Sequence, residues 1–381
     1  MSNPPISSIE AHFESLPDPR RDDCRTPHKL LDIVVITICA VICGADNWVA
    51  VQSFGNAKYK WLAEFLELPK GTPSHDTFRR VFSALDAIKF EECFINWIRS
   101  AIEVTQGQVI AVDGKQLRRS YDTRSNKAAI HLVSAWACHQ GVALGQIKVA
   151  DKSYEIPAMP QLLELLDVSG CIVTIDAMGC QTDIAQTIVD SDADYVFALK
   201  ANQGQLYEDV QLLFDGVSTG EIRDIKVDST QTVDGNHGRI ETRTAYAIAD
   251  SEVISTLRSS ENFVSLNSVV KVTAEREINQ QVTTEIRYYI SSLPGDAAQL
   301  LEATRHHWRI ENSCHWVLDV AFREDASRIR KDNSSENFAI VRRIALNLLK
   351  SENSTKLGVA NKRLKAAWDD NYLTTILATL F

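Results

Sequence analysis

From Gln108 onward the spacing of apolar residues stops being helical and becomes that of alternating strands and helices, and this order constrains the fold more than any other feature. QVIAVDG reads as a strand, and AIHLVSAWAC with VALGQIKVA as a hairpin turning about His139-Gln140-Gly141. MPQLLELLD then reads as a helix, CIVTID as a strand, QTDIAQTIVD as a helix and DYVFALK as a strand. Three strands followed by a helix, a strand, a helix and a strand predict a mixed α/β sheet. Two of the apolar runs stop at an aspartate, QVIAVDGK at Asp113 and CIVTIDAMG at Asp176. A third carboxylate, Glu311, lies in RHHWRIENSCHWVLDVAF, a long helical segment dense in His, Arg and Trp.

The order β-β-β-α-β-α-β-α is that of the ribonuclease-H-like fold, with the Glu311 helix as its last element. About ninety residues separate Lys200 from that helix. They hold a helix, QLYEDVQLLF, and four strands, IKVDST, RIETRTAYAIA, NSVVKVTAE and TTEIRYYIS, parted by turn signals such as VDGNHG. A structureless loop of that length is rare in a compact domain, so an antiparallel β insertion is expected at about 217–292. Residues 1–105 read as a helical N-terminal domain, 106–350 as the ribonuclease-H-like domain and 351–381 as a helical tail. Within the first of these, PKGTPSHDTFRRVFSALD sets a Ser74 or Asp76 cap before a short amphipathic helix. Its pairing with the preceding helix is read either as a helix-turn-helix exposing His75, Arg79 and Arg80, or as a plain helical hairpin.

The formal net charge of −10 argues superficially against DNA, but its distribution reverses that argument. Residues 151–228 hold 15 acidic and 4 basic side chains, which is the whole excess. Residues 304–365 hold 13 basic and 7 acidic, and residues 113–127 hold 5 basic and 2 acidic. The stretches bearing Asp113 and Glu311 are therefore both basic, and a local basic surface binds phosphate despite an acidic total. The longest strongly apolar stretch, Ile33–Ala45, is shorter than the roughly 20 residues a bilayer needs, and the N-terminus shows no leader pattern. The eight cysteines form no CxxC pair and lie mostly in or beside apolar runs. A cytoplasmic protein without membrane contact is expected.

A strand that ends in an aspartate leaves its carboxylate at the sheet edge where α/β sites form. Gly114 after Asp113 permits close backbone approach, and Lys115 is a point charge suited to phosphate. Two such carboxylates can share hard divalent cations. His307, Glu311, His315 and Asp319 recur every four residues, which places them along one helical stripe flanked by Arg305 and Arg309. Trp308, Trp316, Val320 and Phe322 are spaced to pack on adjoining faces of the same helix. Glu311 there either completes a three-carboxylate metal site or pairs with neighbouring histidines on an ordinary surface helix. Zinc held by His307, Glu311 and His315 is a further alternative, though the HExxH pattern is missing. Lys200-Ala-Asn202-Gln203 after a strand, and Asn236-His237-Gly238-Arg239 at a turn of the insertion, are candidate DNA contacts. No GxxxxGK[ST] or GxGxxG string is present, so no nucleotide cofactor is implied.

AVDGKQLRRS, TIDAMGCQTDIA, YVFALKANQGQL, HGRIETR, RYYISSL and HHWRIENSCHWVLDVAFREDASR together resemble insertion-sequence DDE transposases of the H-repeat-associated group. The resemblance runs from about Asp18 to Leu349. It implies a ribonuclease-H-like DDE core with a β insertion before the glutamate and a helical associated domain. It also implies Mg²⁺-dependent cleavage and strand transfer, with Mn²⁺ as a plausible substitute. Carried over by position, the catalytic and metal-holding residues are Asp113, Asp176 and Glu311. Lys115, Lys200, Arg239, Arg305, His307, Arg309, Arg328 and Arg330 are the expected contacts to double-stranded DNA. Pairing two ends implies a homodimer during reaction. Related cut-and-paste transposases show Tyr, two residues, Arg, three residues, Glu, six residues, Lys; anchored on Glu311, those positions here hold Thr304, His307 and Leu318. Glu324 or Asp325 remains an alternative third carboxylate. The rival functions are a catalytically inactive DNA-binding remnant of a transposable element and a ribonuclease-H-like nuclease without strand transfer.

Overall fold

Helical periodicity in the first hundred residues and strand periodicity after Gln108 both carry through into a computed structural model, which describes residues 5–20, 28–102, 106–121, 128–149, 154–236 and 238–379. The helices α1 (Ser7–Phe13), α2 (Leu30–Ile42), α3 (Trp48–Ala57), α4 (Tyr59–Leu62), α5 (His75–Ala84) and α6 (Ala87–Ala101) come first. Strands β1 (Val109–Gln116), β2 (His131–Ala137) and β3 (Val142–Val149) follow. Then come α7 (Glu155–Leu165), β4 (Ile172–Ile175), α8 (Thr182–Asp190), β5 (Asp194–Leu199) and α9 (Gly204–Thr219). The insertion supplies β6 (Val227–Asn236), β7 (Arg239–Ile248), α10 (Ser251–Thr256), β8 (Ser268–Ile278) and β9 (Gln281–Ser291). The chain closes with α11 (Ala297–Arg309), a π turn (Ile310–His315), α12 (Trp316–Phe322), α13 (Ser334–Ser351), α14 (Val359–Trp368) and α15 (Asp370–Ala378). The mixed α/β architecture with an antiparallel β insertion is the one expected, including the element order along the core.

The chain forms two compact units whose bounds cut across the three segments drawn from sequence. One comprises Met1–Glu103, Gly114–Tyr154 and Glu311–Phe381, the other Val104–Asp113 and Glu155–Ile310. In the first unit α2 is buried along nearly its whole length, because LLDIVVITICAVI is apolar on every side and packs on α13. Trp48 meets Phe82 and Phe338, each at 5.1 Å between ring centroids. Strands β2 and β3 form an antiparallel hairpin, and Gly141 takes φ +71° in its turn. Asn347 of α13 exchanges two 2.8 Å hydrogen bonds with the Ala143 backbone, so the edge of β3 is occupied by a side-chain amide.

In the second unit β1 pairs parallel with β4, and β4 parallel with β5. Strand β9 then pairs antiparallel with β5, and β8, β7 and β6 continue outward. The insertion is thus an extension of the core sheet, because β9 returns directly alongside β5. Helix α11 packs on β6 and β7.

Candidate active site

The second unit holds two of the proposed carboxylates. Strand β1 does not stop at Asp113: its buried apolar run does, and the strand continues through Gly114, Lys115 and Gln116. Asp176 follows β4 directly and caps a 3-10 turn, its Oδ1 accepting from the Met178 and Gly179 amides at 3.1 and 3.3 Å. Asn202 and Gln203, read from sequence as possible DNA contacts, instead brace this turn. Asn202 Nδ2 donates to the Ala177 carbonyl at 2.6 Å, and Gln203 Nε2 to the Cys180 carbonyl at 2.7 Å.

His307 of α11 belongs to the same group. Thr174 Oγ1 lies 3.2 Å from its Nδ1. Burial pushes the imidazole below its usual range, against the opposite pull of the Asp113 and Asp176 carboxylates. Thr174, Asp176, Lys200, Arg287, His307 and Trp308 line a cavity of about 190 Å³. Arg287 stacks on Trp308, 4.5 Å from its ring centroid. Sequence reasoning passed over Thr174 and Arg287. Thr174 carries a legible signal, since it is the polar residue in a buried strand and its period-2 partner is Asp176.

Arg305 and Arg309 line a second cavity of about 430 Å³ in this unit, with Thr230, Thr232 and His306. Arg305 is already held by Asp234 at 2.6 Å, and Arg239 by Glu241 at 2.8 Å. His237 lies outside the described residues.

The first unit holds the remaining candidates. The expected unbroken helix around Glu311 is interrupted by the π turn, which inserts a wider turn between α11 and α12. Glu311 is exposed and His315 is 2% exposed, yet a ligand atom of each lies within 4.8 Å of the other, so these two members of the stripe stay together across the turn. Trp308, Trp316 and Val320, expected to pack, are exposed, and Phe322 alone of that group is buried.

Lys115, assigned from sequence to phosphate, points into protein. Its Nζ donates to Asp319 Oδ1 at 2.6 Å, Glu324 Oε2 at 3.2 Å and the His315 carbonyl at 3.3 Å. Glu324 Oε1 accepts from Arg343 Nη1 at 3.2 Å, and both of those side chains are fully buried. Burial alone would raise the Glu324 carboxyl, but Arg343 and Lys115 outweigh it and bring it down to about 2. Both Glu324 oxygens are thus occupied, which argues against its use as the third carboxylate. Asp325 pairs with Arg118 at 3.3 Å. Arg328 is exposed, and Arg330 stacks on Tyr121 at 4.9 Å.

Asp113 on β1 and Asp176 directly after its parallel neighbour β4 are the kind of carboxylate pair that a site for metal-assisted phosphoryl transfer uses. Residues 104–348 match the family described as transposase DDE domain, and residues 10–98 the DDE_Tnp_1-associated family. The chain belongs to the transposase DDE domain family. It is 41% identical to the putative transposase YncI of Escherichia coli O157:H7, covering 98% of this chain and 95% of that one. It is 39% identical to the H repeat-associated putative transposase YhhI of Escherichia coli K12, covering 98% of each. Among solved structures, the cryo-EM structure of a piggyBac transposase synaptic complex with hairpin DNA is similar at a TM-score of 0.43 and 11% identity. That likeness spans 98% of this chain and 76% of that one, and is too distant to carry an argument. Among the described residues, no helix is long and apolar enough to cross a membrane.

Proposed function

We propose that this DNA transposase of an insertion sequence cuts the phosphodiesters at its element's ends and joins the freed strands to target DNA, using Asp113, Asp176 and Glu311. Family membership supports the reaction class. What supports Asp113 and Asp176 is that they directly follow Val112 and Ile175, paired residues of the parallel strands β1 and β4, with Asp176 in the cavity that Lys200 and Arg287 also line; Glu311 rests on the family resemblance.

The donor set fits hard divalent ions, since every proposed ligand is a carboxylate. The cap at Asp176 uses Oδ1, so Oδ2 stands outside it. Asp113, Asp176 and Glu311 would hold Mg²⁺, or Mn²⁺ in its place. When bound, such ions activate a water or 3′-hydroxyl and stabilise the leaving oxygen of an in-line displacement. The chain's own residues do the rest. The capped and braced turn fixes Asp176 before DNA arrives, which removes a reorganisation cost from the reaction. Thr174 orients His307, whose ring hydrogen-bonds a phosphate oxygen. Lys200 and Arg287 face the negative charge of the strand. Two copies pairing two ends form a homodimer in this reading.

The test is Mg²⁺-dependent nicking of end DNA. Asp176→Ala and Glu311→Gln are expected to abolish it while leaving DNA binding in place. Nicking by Asp176→Ala at the wild-type rate sinks the assignment. Product analysis separates the rival activity: joined strands mark a transposase, nicks alone a hydrolytic nuclease.

A further inference from the structure

The first unit carries a cleft that the catalytic reading does not use. It encloses about 1350 Å³ and is lined by Asp46–Val49, by His75 and Arg79, and by Arg328–Ser334. That exceeds the roughly 300–1,000 Å³ of a small-molecule pocket, so it suits a length of polymer.

Its walls are of two kinds. Trp48, Val49 and Ile329 form an apolar wall, with Val49 59% exposed. Arg79, Arg328, Arg330 and Lys331 set four cations against Asp46 and Asp332. Asp46 is already paired with Arg323 at 3.3 Å, and Arg79 with Asp76 at 3.0 Å. Arg330 is fixed by Tyr121 and by the Arg119 carbonyl at 2.8 Å. Arg328 and Lys331 are exposed and have no side-chain hydrogen bond or ion pair among the described residues. Between them Ile329 is buried and anchors the segment, so these charges flank a fixed point. Helices α3, α5 and α13 all begin on this cleft, at Trp48, His75 and Ser334, and their positive ends add the same sign. Unpaired cations take phosphates, and an apolar wall takes sugar and base faces.

We propose that this cleft binds the phosphodiester backbone of a DNA segment, with Arg328 and Lys331 of the DDE-domain region meeting phosphates and Trp48 and Val49 of the associated region forming its apolar wall. The inference rests on the transposase reading for the identity of its polymer. Binding is measured by fluorescence anisotropy without divalent metal, across a salt series, on element-end duplex and on unrelated duplex. Removing two phosphate contacts with Arg328→Ala/Lys331→Ala is expected to weaken binding at least tenfold near physiological salt. It also flattens the log K against log salt slope by about 1.8, at about 0.9 per contact. A control pair, Lys70→Ala/Lys356→Ala, removes two exposed cations elsewhere in the same unit and keeps the wild-type slope. A loss on both duplexes assigns the cleft to DNA of any sequence, and a loss on end duplex alone assigns it to the ends. An unchanged slope, or an equal change in the control pair, overturns the proposal. The single Lys331→Glu variant repeats the reading should the double variant melt early. Because no cleavage is involved, wild-type nicking by Asp176→Ala would remove the catalytic assignment and leave this result standing.

Discussion

Lys115 Nζ sits 2.6 Å from Asp319 Oδ1, joining residues 204 apart in sequence. The pair belongs to a buried chain of charge, in which Glu324 takes Lys115 on one oxygen and Arg343 on the other. Arg343 reaches on to Ser134 Oγ at 3.3 Å, so the network ties the end of β1 to α12, α13 and β2. Lys115 and Arg343 are each matched by a carboxylate, so removing one partner leaves a buried charge uncompensated.

Glu324→Gln is therefore expected to destabilise by about 3–5 kcal/mol, because it leaves Arg343 buried against a neutral amide. The sign of its pH dependence follows from the lowered carboxyl. Stability from Glu324 is present above the unfolded value of about 4.5 and is lost as pH falls toward about 2. Urea unfolding from pH 6 to pH 3 should show wild type losing stability more steeply than Glu324→Gln. Parallel curves would mean the network contributes nothing.

The Asp176 turn yields a second prediction. A Cβ on Gly179 would come within 2.3 Å of Ile175 Cγ2 and 2.8 Å of Met159 Sδ, so the turn must shift to admit it. Gly179→Ala should cost about 1–3 kcal/mol and lower nicking with it. Asn202→Ala removes one brace, worth about 1 kcal/mol, while leaving the packing intact. Its expected signature is a fall in kcat with KM for end DNA unchanged, since the carboxylate is misplaced and no DNA contact is lost. A rise in KM with kcat constant would instead return Asn202 to the DNA-contact role suggested by sequence.

What could be read from sequence depended on how local its cause was. The strands flanking Asp113 and Asp176 show in their apolar runs, and the insertion strands show in alternation and turn residues such as those at Asn236. The π turn at Ile310–His315 leaves no comparable mark. The spacing of His307, Glu311, His315 and Asp319 assumes an unbroken helical period, and a wider turn shifts that phase without changing composition. Residue type suggests a phosphate contact for Lys115 and a possible third carboxylate for Glu324, and gives no local sign that either side chain is buried. Their burial depends on partners far along the chain, which no window of sequence contains.

Glu91 supplies the last prediction. It lies on α6, buried, with Oε1 accepting from the Gln146 amide at 2.8 Å. Burial pushes its carboxyl up to about 8, outweighing the opposing Gln146 hydrogen bond and the Arg343 charge. A carboxyl raised on folding adds stability that is complete below the unfolded value of about 4.5 and fades as pH rises through about 8. At pH 7 the folded protein carries this side chain protonated, whereas the unfolded chain ionises it. Wild type should thus lose a few kcal/mol between pH 5 and pH 8, on the order of 1.4 kcal/mol for each pH step over which the folded chain holds one proton more than the unfolded chain. Glu91→Gln keeps an acceptor for Gln146 and cannot ionise, so its melting temperature should stay nearly flat over that interval and exceed that of wild type at pH 8. A variant that tracks wild type across the whole range would show that Glu91 is ionised in the fold.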